Sequence, residues 1–501
     1  MKRRTMTMTR MIWKLGPAAV LTAVLLWGFT GPAEAAIEGI TGVDAGGGVV
    51  QFNLTARCDF ISTPDGNSVL IWGYSDDANP LQRAQYPGPT LIVNEGDVVE
   101  ITLTNWITDE TGALIGVNTS MVFPGHSVAA TGGEQGLLGR EAAPGGTVSY
   151  TFTASHPGTF LYHSGTRADL QIELGLLGAL IVRPSGGLPA EPVVDPGTGR
   201  VTSRGHAYND SDTAFDREHL YLLTEMDPDV HDLVEFGQMD QIDGTTYRPV
   251  YWFVNGRAAP DTLSAPNVPW LPTQPYNALT RMLPGERVLM RVVGLSRDLH
   301  PFHHHGNHAR VVGTDGRLLQ SPTTASGADL SYEVFTIQSV PGETVDAIFT
   351  WSDKDMNWDI YGHTGGELHG AYAGAGVGTE ICAGYVPGNE ATYFDPYNYE
   401  WCPNHKDGLC PGDPPVAGCP KPLPVVLPEN QDLAFGGFWS GSPFLGAEGG
   451  LPPGEGGLNP NAGFFFMWHS HTEKELVNFD IFPGGMLTMM VVEPPGTTDI
   501  P

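Results

Sequence analysis

Apolar and polar residues alternate in short stretches along most of the chain. In 99–104 and again in 148–153, every second residue is apolar and the residues between are polar or charged. A period of two turns one face of an extended strand toward a core and the other toward water, so both stretches predict half-buried strands. The 501 residues also include 65 Gly and 42 Pro, which favours short strands joined by tight turns. The pattern therefore predicts an all-β protein.

An approximate internal repeat divides the chain into two units. Each copy has a Pro-Gly turn, an aromatic strand that ends in His163 or His469, and a Gly-led apolar strand that ends in Pro. From turn to His the distance is 19 residues in the first copy (144 to 163) and 128 in the second (341 to 469), which is too long for a loop. We therefore predict two β-sandwich domains at 37–185 and 205–496, a Pro/Gly-rich linker at 186–204, and an insertion in the second domain at about 362–462.

Acidic residues dominate the charge of the chain. There are 25 Lys and Arg against 56 Asp and Glu, a formal net charge of −31. Such a surface repels phosphate backbones and anionic lipid headgroups, so a nucleic-acid partner is excluded. Beyond the N-terminal segment, no stretch is both long and apolar enough to predict a membrane span.

The N-terminal 1–35 has the organisation of a signal peptide. Basic residues precede an apolar run at 17–29, and Ala33-Glu34-Ala35 supplies small residues for cleavage. Arg3-Arg4 fits a twin-arginine signal, and an ordinary Sec signal is the alternative. We expect the mature protein to be secreted, either periplasmic or extracellular.

Four of the five cysteines lie inside the predicted insertion: Cys382, Cys402, Cys410 and Cys419. In an oxidising compartment this clustering predicts two disulfides, and the sequence does not choose among the three connectivities. A zinc site is the alternative, but the cluster has no Cys-x-x-Cys pair. Cys58 is left over.

Histidine spacing carries the clearest chemical information. Residues 300–308 contain five histidines, and His469-Ser470-His471 ends the matching strand of the second repeat. An extended chain places His303 and His305 on one face, where neutral imidazoles bind metals such as copper. A solvated His-rich loop is the alternative for one cluster, but paired His-x-His motifs favour a metal site.

These motifs resemble those of the multicopper oxidases, a family of cupredoxin-domain proteins. His-Pro-Phe-His-His-His-Gly at 300–306 is similar to the family's His-Pro-x-His-x-His-Gly element, and His469-Ser470-His471 stands where the family has His-Cys-His. Tyr162-His163-Ser164-Gly165 stands where it has Tyr-His-Ser-His, and Val254-Asn255-Gly256-Arg257 resembles the motif that opens the second domain. The resemblance implies two cupredoxin-like Greek-key β-sandwich domains, a copper cofactor, and His300 as a ligand of a mononuclear type 1 copper.

The chain also departs from the family pattern. Ser470 replaces the cysteine that defines a blue type 1 copper, Gly165 replaces a histidine, and only His126 remains of the first-domain motif. Carried over residue by residue, the resemblance implies that one copper is held by His126, His163 and His469, and that a second is held or completed by His303, His305 and His471. Glu473 and Glu475 either orient ligating imidazoles or lie on the surface.

Residues 121–131 further resemble the two-domain copper nitrite reductases, although 122–125 lacks the Asp that those enzymes need. Two hypotheses follow. The first is a secreted copper oxidoreductase without a blue copper, whose partners are a small-molecule or metal-ion reductant and dioxygen. The second is a non-catalytic copper-binding or structural extracellular protein that keeps the fold. Two-domain relatives imply a homotrimer with a copper site at each junction, unless the insertion covers that interface and leaves a monomer.

Overall fold

The computed structural model describes residues 37–185, 193–194, 201–283, 285–322, 327–351, 394–395, 400–401 and 464–493. Most of the described strands form two β-sandwiches, which confirms the predicted all-β class. The predicted signal peptide and the four clustered cysteines with their predicted disulfides lie outside the described residues. Within them, no helix has both the length and the apolar character needed to cross a membrane.

The first sandwich is assembled around two long central strands. Its elements are β1 (Val43–Gly46), β2 (Val49–Ser62), β3 (Ser68–Asp76), β4 (Leu91–Asn94), β5 (Val98–Trp106), β6 (Ala129–Gly132), β7 (Glu134–Gln135), β8 (Arg140–Glu141), β9 (Thr147–Thr153), β10 (Gly158–His163), helix α1 (Ala168–Gln171) and β11 (Leu177–Arg183). One sheet has the order β1-β2-β5-β9-β6 with β3 also paired to β2, and the facing sheet has the order β10-β11-β4. The alternation noted at 99–104 and 148–153 corresponds to β5 and β9, which pair antiparallel.

The rest of the described chain contains the second sandwich and three separate two-stranded sheets. Its elements are β12 (Val193–Val194), β13 (Val201–Ser203), β14 (Gly205–His206), β15 (Ala214–Phe215), β16 (Arg217–Met226), helix α2 (Pro228–Glu235), β17 (Tyr251–Val254), β18 (Thr280–Met282), β19 (Arg287–Gly294), β20 (His300–His304), β21 (Ala309–Thr314), β22 (Arg317–Leu318), β23 (Tyr332–Val334), β24 (Thr336–Ser339), β25 (Thr344–Thr350), β26 (Phe394–Asp395), β27 (Glu400–Trp401), β28 (Phe464–Ser470) and β29 (Leu487–Val492). One sheet has the order β17-β16-β19-β25-β21-β22 with β23 on β21, and the other has the order β18-β29-β28-β20-β24.

Each sandwich has its own apolar core, and a third apolar cluster joins the two. Leu161 and Leu177 of the first sandwich meet Leu222, Phe253 and Val293 of the second in this cluster. All five side chains are almost completely buried. Burial of this kind stabilises by roughly 25 cal/mol per Å² of apolar surface, so the cluster holds the two sandwiches together as one body.

A buried ionic network crosses the same interface. The Glu218 carboxylate lies 2.6 Å from the Arg183 guanidinium of β11 and 3.0 Å from the Arg291 guanidinium of β19. Arg291 also lies 3.4 Å from Asp346 and donates to the Thr159 hydroxyl of the first sandwich at 3.0 Å. Charges from both sandwiches therefore neutralise one another inside the molecule.

Candidate metal centre

Two neighbouring strands bring three histidines to one point. Strands β20 and β28 pair antiparallel with His303 opposite His469, and His305 directly follows β20. One ligand atom from each of His303, His305 and His469 lies within 4.8 Å of the others. The Nε2 atoms of His305 and His469 are 3.3 Å apart. Among the described residues this is the one group with such a spacing, and we call it the three-His group.

The period of two along β20 explains which side chains reach this point. Phe302 and His304 turn into the core, where the His304 ring packs on Phe349 and Trp468 at centroid distances of 5.8 and 5.9 Å. His303 and His305 take the opposite face, as predicted, and their ring centroids are 5.0 Å apart.

Backbone hydrogen bonds hold His305 beyond the end of its strand. Its N–H donates to the Met467 carbonyl at 3.2 Å, and its carbonyl accepts from the Trp468 indole N–H at 2.9 Å. The sheet partner β28 therefore positions His305 as well as supplying His469.

Hydrogen bonds at Nδ1 orient two of the rings. His469 Nδ1 lies 2.7 Å from the Ser470 carbonyl, which only accepts, so Nδ1 carries the proton and Nε2 keeps its lone pair. His303 Nδ1 lies 2.8 Å from the Thr336 hydroxyl of β24. Such outer contacts fix the tautomer and the direction of a metal-binding imidazole.

The three imidazoles are neutral at physiological pH. Burial, with the mutual repulsion of the neighbouring rings, lowers the pKa of His303 to about 4 and that of His305 to about 3. Burial also lowers the pKa of His469. Neutral nitrogens keep their lone pairs, and a set of three imidazoles suits copper, zinc or a similar borderline metal.

His471 lies at the open side of the three-His group. Its ring centroid is 4.9 Å from that of His303 and 5.6 Å from that of His469. Its side chain is 54% exposed and lies 3.4 Å from the Glu473 carboxylate. Phe335, which is 47% exposed, contacts the His303 ring at a centroid distance of 5.7 Å. His471 and Phe335 therefore form the exposed edge of a group in which His303 and His469 are themselves buried.

His300 has a different environment from the other motif histidines. Its ring is fully buried, with Nε2 2.8 Å from the Glu225 carboxylate and Nδ1 2.9 Å from the Glu475 carboxylate. Burial alone would lower its pKa, but the hydrogen bonds to Glu225 and Glu475 and their charges outweigh burial and raise the pKa to about 9. Both nitrogens are thus protonated and occupied, which leaves no lone pair for a metal.

His163 and His126 belong to the first sandwich, and neither contributes a ligand atom to the three-His group. His163 ends β10, and its Nδ1 lies 2.9 Å from the Ser164 carbonyl, the same arrangement as in His469 and Ser470. The His126 ring packs between Phe152 and Phe160 at centroid distances of 4.7 and 4.5 Å. Burial lowers the pKa of both histidines. Their predicted copper, shared with His469, stays a prediction.

Packing explains one departure from the family pattern. A β-carbon at Gly165 would come within 2.7 Å of Val122 Cγ1 and 3.3 Å of Leu138 Cβ. The space that a histidine would need at this position is therefore filled by neighbouring side chains.

Two contacts of the centre were not predicted from sequence. Thr336 and Phe335 lie in a segment without any motif, and they reach His303 only because β24 pairs with β20, with Thr336 opposite His303. Glu473 and Glu475, the two carboxylates considered as partners of ligating imidazoles, lie in different environments. Glu475 is buried against His300, and Glu473 is exposed beside His471.

Comparisons with known proteins agree with the motifs. Residues 78–187 match the family model for multicopper oxidases. The chain is 31% identical over 256 residues to the copper-containing nitrite reductase of Pseudomonas chlororaphis, covering 49% of this chain and 61% of that protein. It is 35% identical over 125 residues to the L-ascorbate oxidase of Cucurbita pepo var. melopepo, covering 24% of this chain and 21% of that protein. The chain thus spans less than two thirds of these curated relatives.

Among solved structures, a blue copper oxidase from Nitrosomonas europaea aligns with 88% of this chain and 85% of its own, at 16% identity and a TM-score of 0.44. A multicopper oxidase named mgLAC aligns over the same shares, at 18% identity and a TM-score of 0.44. The predicted resemblance to the multicopper oxidases is confirmed by the family model and by the sequence relatives.

Proposed function

We propose that this multicopper oxidase-like chain is a copper-binding oxidoreductase whose centre is built on the three-His group and lacks a blue type 1 copper. The observation that carries the proposal is the convergence of His303, His305 and His469, whose ligand atoms lie within 4.8 Å of one another. Three neutral imidazoles fit copper, which when bound supplies one-electron redox chemistry.

The residues around the group fit a reaction with a small substrate. Burial keeps the imidazoles uncharged, and the contacts from Thr336 and the Ser470 carbonyl hold two of the rings in place. His471 and Phe335 are the exposed side chains that contact the group. We propose a small-molecule or metal-ion reductant and dioxygen as the partners, because His303 and His469 are buried and a large partner would not touch them directly.

Ser470 supports the absence of a blue copper. Its side chain is fully buried and accepts a hydrogen bond from the Thr472 N–H at 3.1 Å. A hydroxyl does not supply the thiolate that gives a blue copper its intense absorption. We expect the copper-loaded protein to be pale, and an intense band near 600 nm, of the order known for thiolate–copper sites, would contradict the proposal.

We further propose that neighbouring chains complete the centre, bringing His126 and His163 of one chain to the edge of the three-His group of the next. Both half-sites have exposed apolar side chains nearby: Leu138, 60% exposed, beside Gly165, and Phe335, 47% exposed, beside His303 of the three-His group. Head-to-tail contacts of this kind close into rings, here a homotrimer. Light scattering on the copper-loaded protein tests this, because a monomer mass with full copper occupancy would overturn it.

The decisive experiment measures copper content and oxygen consumption together. Purified protein is loaded with copper, freed of excess metal, and analysed for copper per chain and for oxygen uptake with a phenolic or metal-ion donor. His469→Ala should lose at least one copper equivalent and the uptake, while the exposed control His206→Ala should retain both. Equal copper in His469→Ala and wild type would refute the three-His group as the centre.

A non-catalytic copper-binding protein is the second candidate. One observation favours this candidate. In the family pattern, electrons enter through a copper held by a histidine and a cysteine at the positions of His300 and Ser470. Here both nitrogens of His300 contact carboxylates, and Ser470 has no thiolate. Copper bound without oxygen uptake would support this candidate. Export by the 1–35 segment is likewise our proposal, tested by N-terminal sequencing of the mature protein.

A further inference from the structure

Three separate segments meet at the His300 ring. Glu225 lies near the end of β16, His300 begins β20, and Glu475 ends a short turn four residues beyond His471. All three residues are at least 99% buried. The ring therefore links a strand of one sheet to both segments that supply the three-His group.

The hydrogen-bond chemistry favours a cation at the centre of this arrangement. Each ring nitrogen faces a carboxylate oxygen within 2.9 Å, and a neutral imidazole would turn one lone pair toward an anion. A protonated ring donates to both carboxylates. Charge-assisted bonds of this kind are about twice as strong as neutral ones.

The negative charge that remains is also accommodated. The second oxygen of Glu225 accepts from the backbone N–H groups of Arg297 and Asp298 at 2.8 and 2.9 Å and from the Tyr247 hydroxyl at 3.0 Å. The Arg297 guanidinium lies over the Tyr247 ring at 4.4 Å. Every donor here comes from the protein itself, so the carboxylate pair does not require a metal ion.

We propose that Glu225, His300 and Glu475 form a metal-independent ionic clamp that positions the two histidine-bearing segments, so that His300 is a positioning residue and not a copper ligand. The inference deepens the proposed function, on which its copper readout rests. Because the two carboxylates face opposite edges of one ring, they do not share a metal position with it. In the described part of the chain, the spacing expected of a metal site occurs only in the three-His group.

The first test needs no copper. In metal-free protein labelled with 15N at histidine, the His300 ring should show two protonated nitrogens at neutral pH, with the resonances assigned by their absence in His300→Gln. One unprotonated ring nitrogen would overturn the clamp. This result is independent of the proposed function, which fails separately if wild-type protein binds no copper.

The second test compares copper stoichiometry with copper affinity. His300→Gln should bind as many coppers per chain as wild type but with about ten-fold lower affinity, the loss typical of a disturbed outer contact. Loss of one copper equivalent would make His300 a ligand, and unchanged affinity would remove its positioning role; either result overturns the proposal.

The matched control is His219→Gln. His219 is a half-buried histidine of β16 whose buried Nε2 has no hydrogen-bond partner among the described residues, and its substitution should leave copper affinity unchanged. Should His300→Gln fail to fold, Glu475→Gln keeps an acceptor for His300 while removing one charge, and it should give the same stoichiometry with weaker binding. Electron paramagnetic resonance of the cupric form should broaden in both clamp variants and not in the control.

Discussion

Replacing Glu218 by Gln should cost the protein a large part of its stability, because Glu218 holds two buried arginines. Its carboxylate lies between Arg183 of the first sandwich and Arg291 of the second. Burial alone would raise its pKa, but the two guanidinium groups outweigh burial and lower the pKa from 4.5 to about 2. A shift of that size corresponds to about 3 kcal/mol of stability, at about 1.4 kcal/mol per pKa unit.

The typical effect of breaking a buried ion pair gives a similar loss of stability for Glu218→Gln. Removing one partner of a buried ion pair typically costs about 3–5 kcal/mol, because the remaining charges stay buried without compensation. The Arg291 contacts to Asp346 and Thr159 persist in the variant, which argues for the lower end of that range. We therefore expect Glu218→Gln to lower the free energy of unfolding by about 3 kcal/mol at pH 7.

Urea denaturation at pH 7 measures the effect. The control is Asp169→Asn, which removes a carboxylate from an ion pair with Arg167 whose side chains are 58% and 68% exposed. Exposed pairs contribute about 0–1 kcal/mol, so the control should hardly move. Equal losses of stability in the two variants would refute the reasoning.

The pH dependence provides a second check on Glu218. Because its folded pKa is depressed, the stabilisation is fully present above the unfolded pKa of 4.5 and is lost as the pH falls toward about 2. The difference between wild type and Glu218→Gln should therefore shrink across that interval. A difference that stays constant down to pH 2 would show that packing, and not charge, causes the loss.

Three further predictions concern single side chains. The pKa of His300 is raised from 6.5 to about 9, so about 3 kcal/mol of stability should be present below pH 6.5 and lost as the pH rises through 9; urea titrations should show this fall in wild type and not in His300→Gln. Thr336→Val should weaken copper binding about ten-fold, measured by competition with a chelator, because His303 loses its Nδ1 partner while the fold is retained. Arg257→Lys should lower the free energy of unfolding by about 3 kcal/mol, and with it the melting temperature measured by calorimetry. The Arg257 guanidinium makes five hydrogen bonds to backbone carbonyls, and a lysine ammonium has only three N–H donors to replace them.

Local patterns in the sequence determined the strands and the face on which the key histidines lie. The period of two at 99–104 and 148–153 predicts strands because side-chain alternation is a property of the extended backbone itself. The same local rule places His303 and His305 on one face. His163 and His469, which occupy matching positions in the internal repeat, also make the same hydrogen bond from Nδ1 to the carbonyl of the next residue.

The tertiary structure alone decided the protonation and the partners of these histidines. His300 has the motif position of a copper ligand, yet Glu225, 75 residues earlier, and Glu475, 175 residues later, make it a buried cation. Thr336 reaches His303 only through the pairing of β20 with β24. A ring's charge and free lone pair depend on which groups surround it in space, and strand order brings those groups together from distant parts of the chain. The spacing of residues along a chain indicates the direction of a side chain but not its surroundings. The sequence therefore predicted a metal centre, and only the fold distinguished the three-His group from His300, which belongs to the ionic clamp.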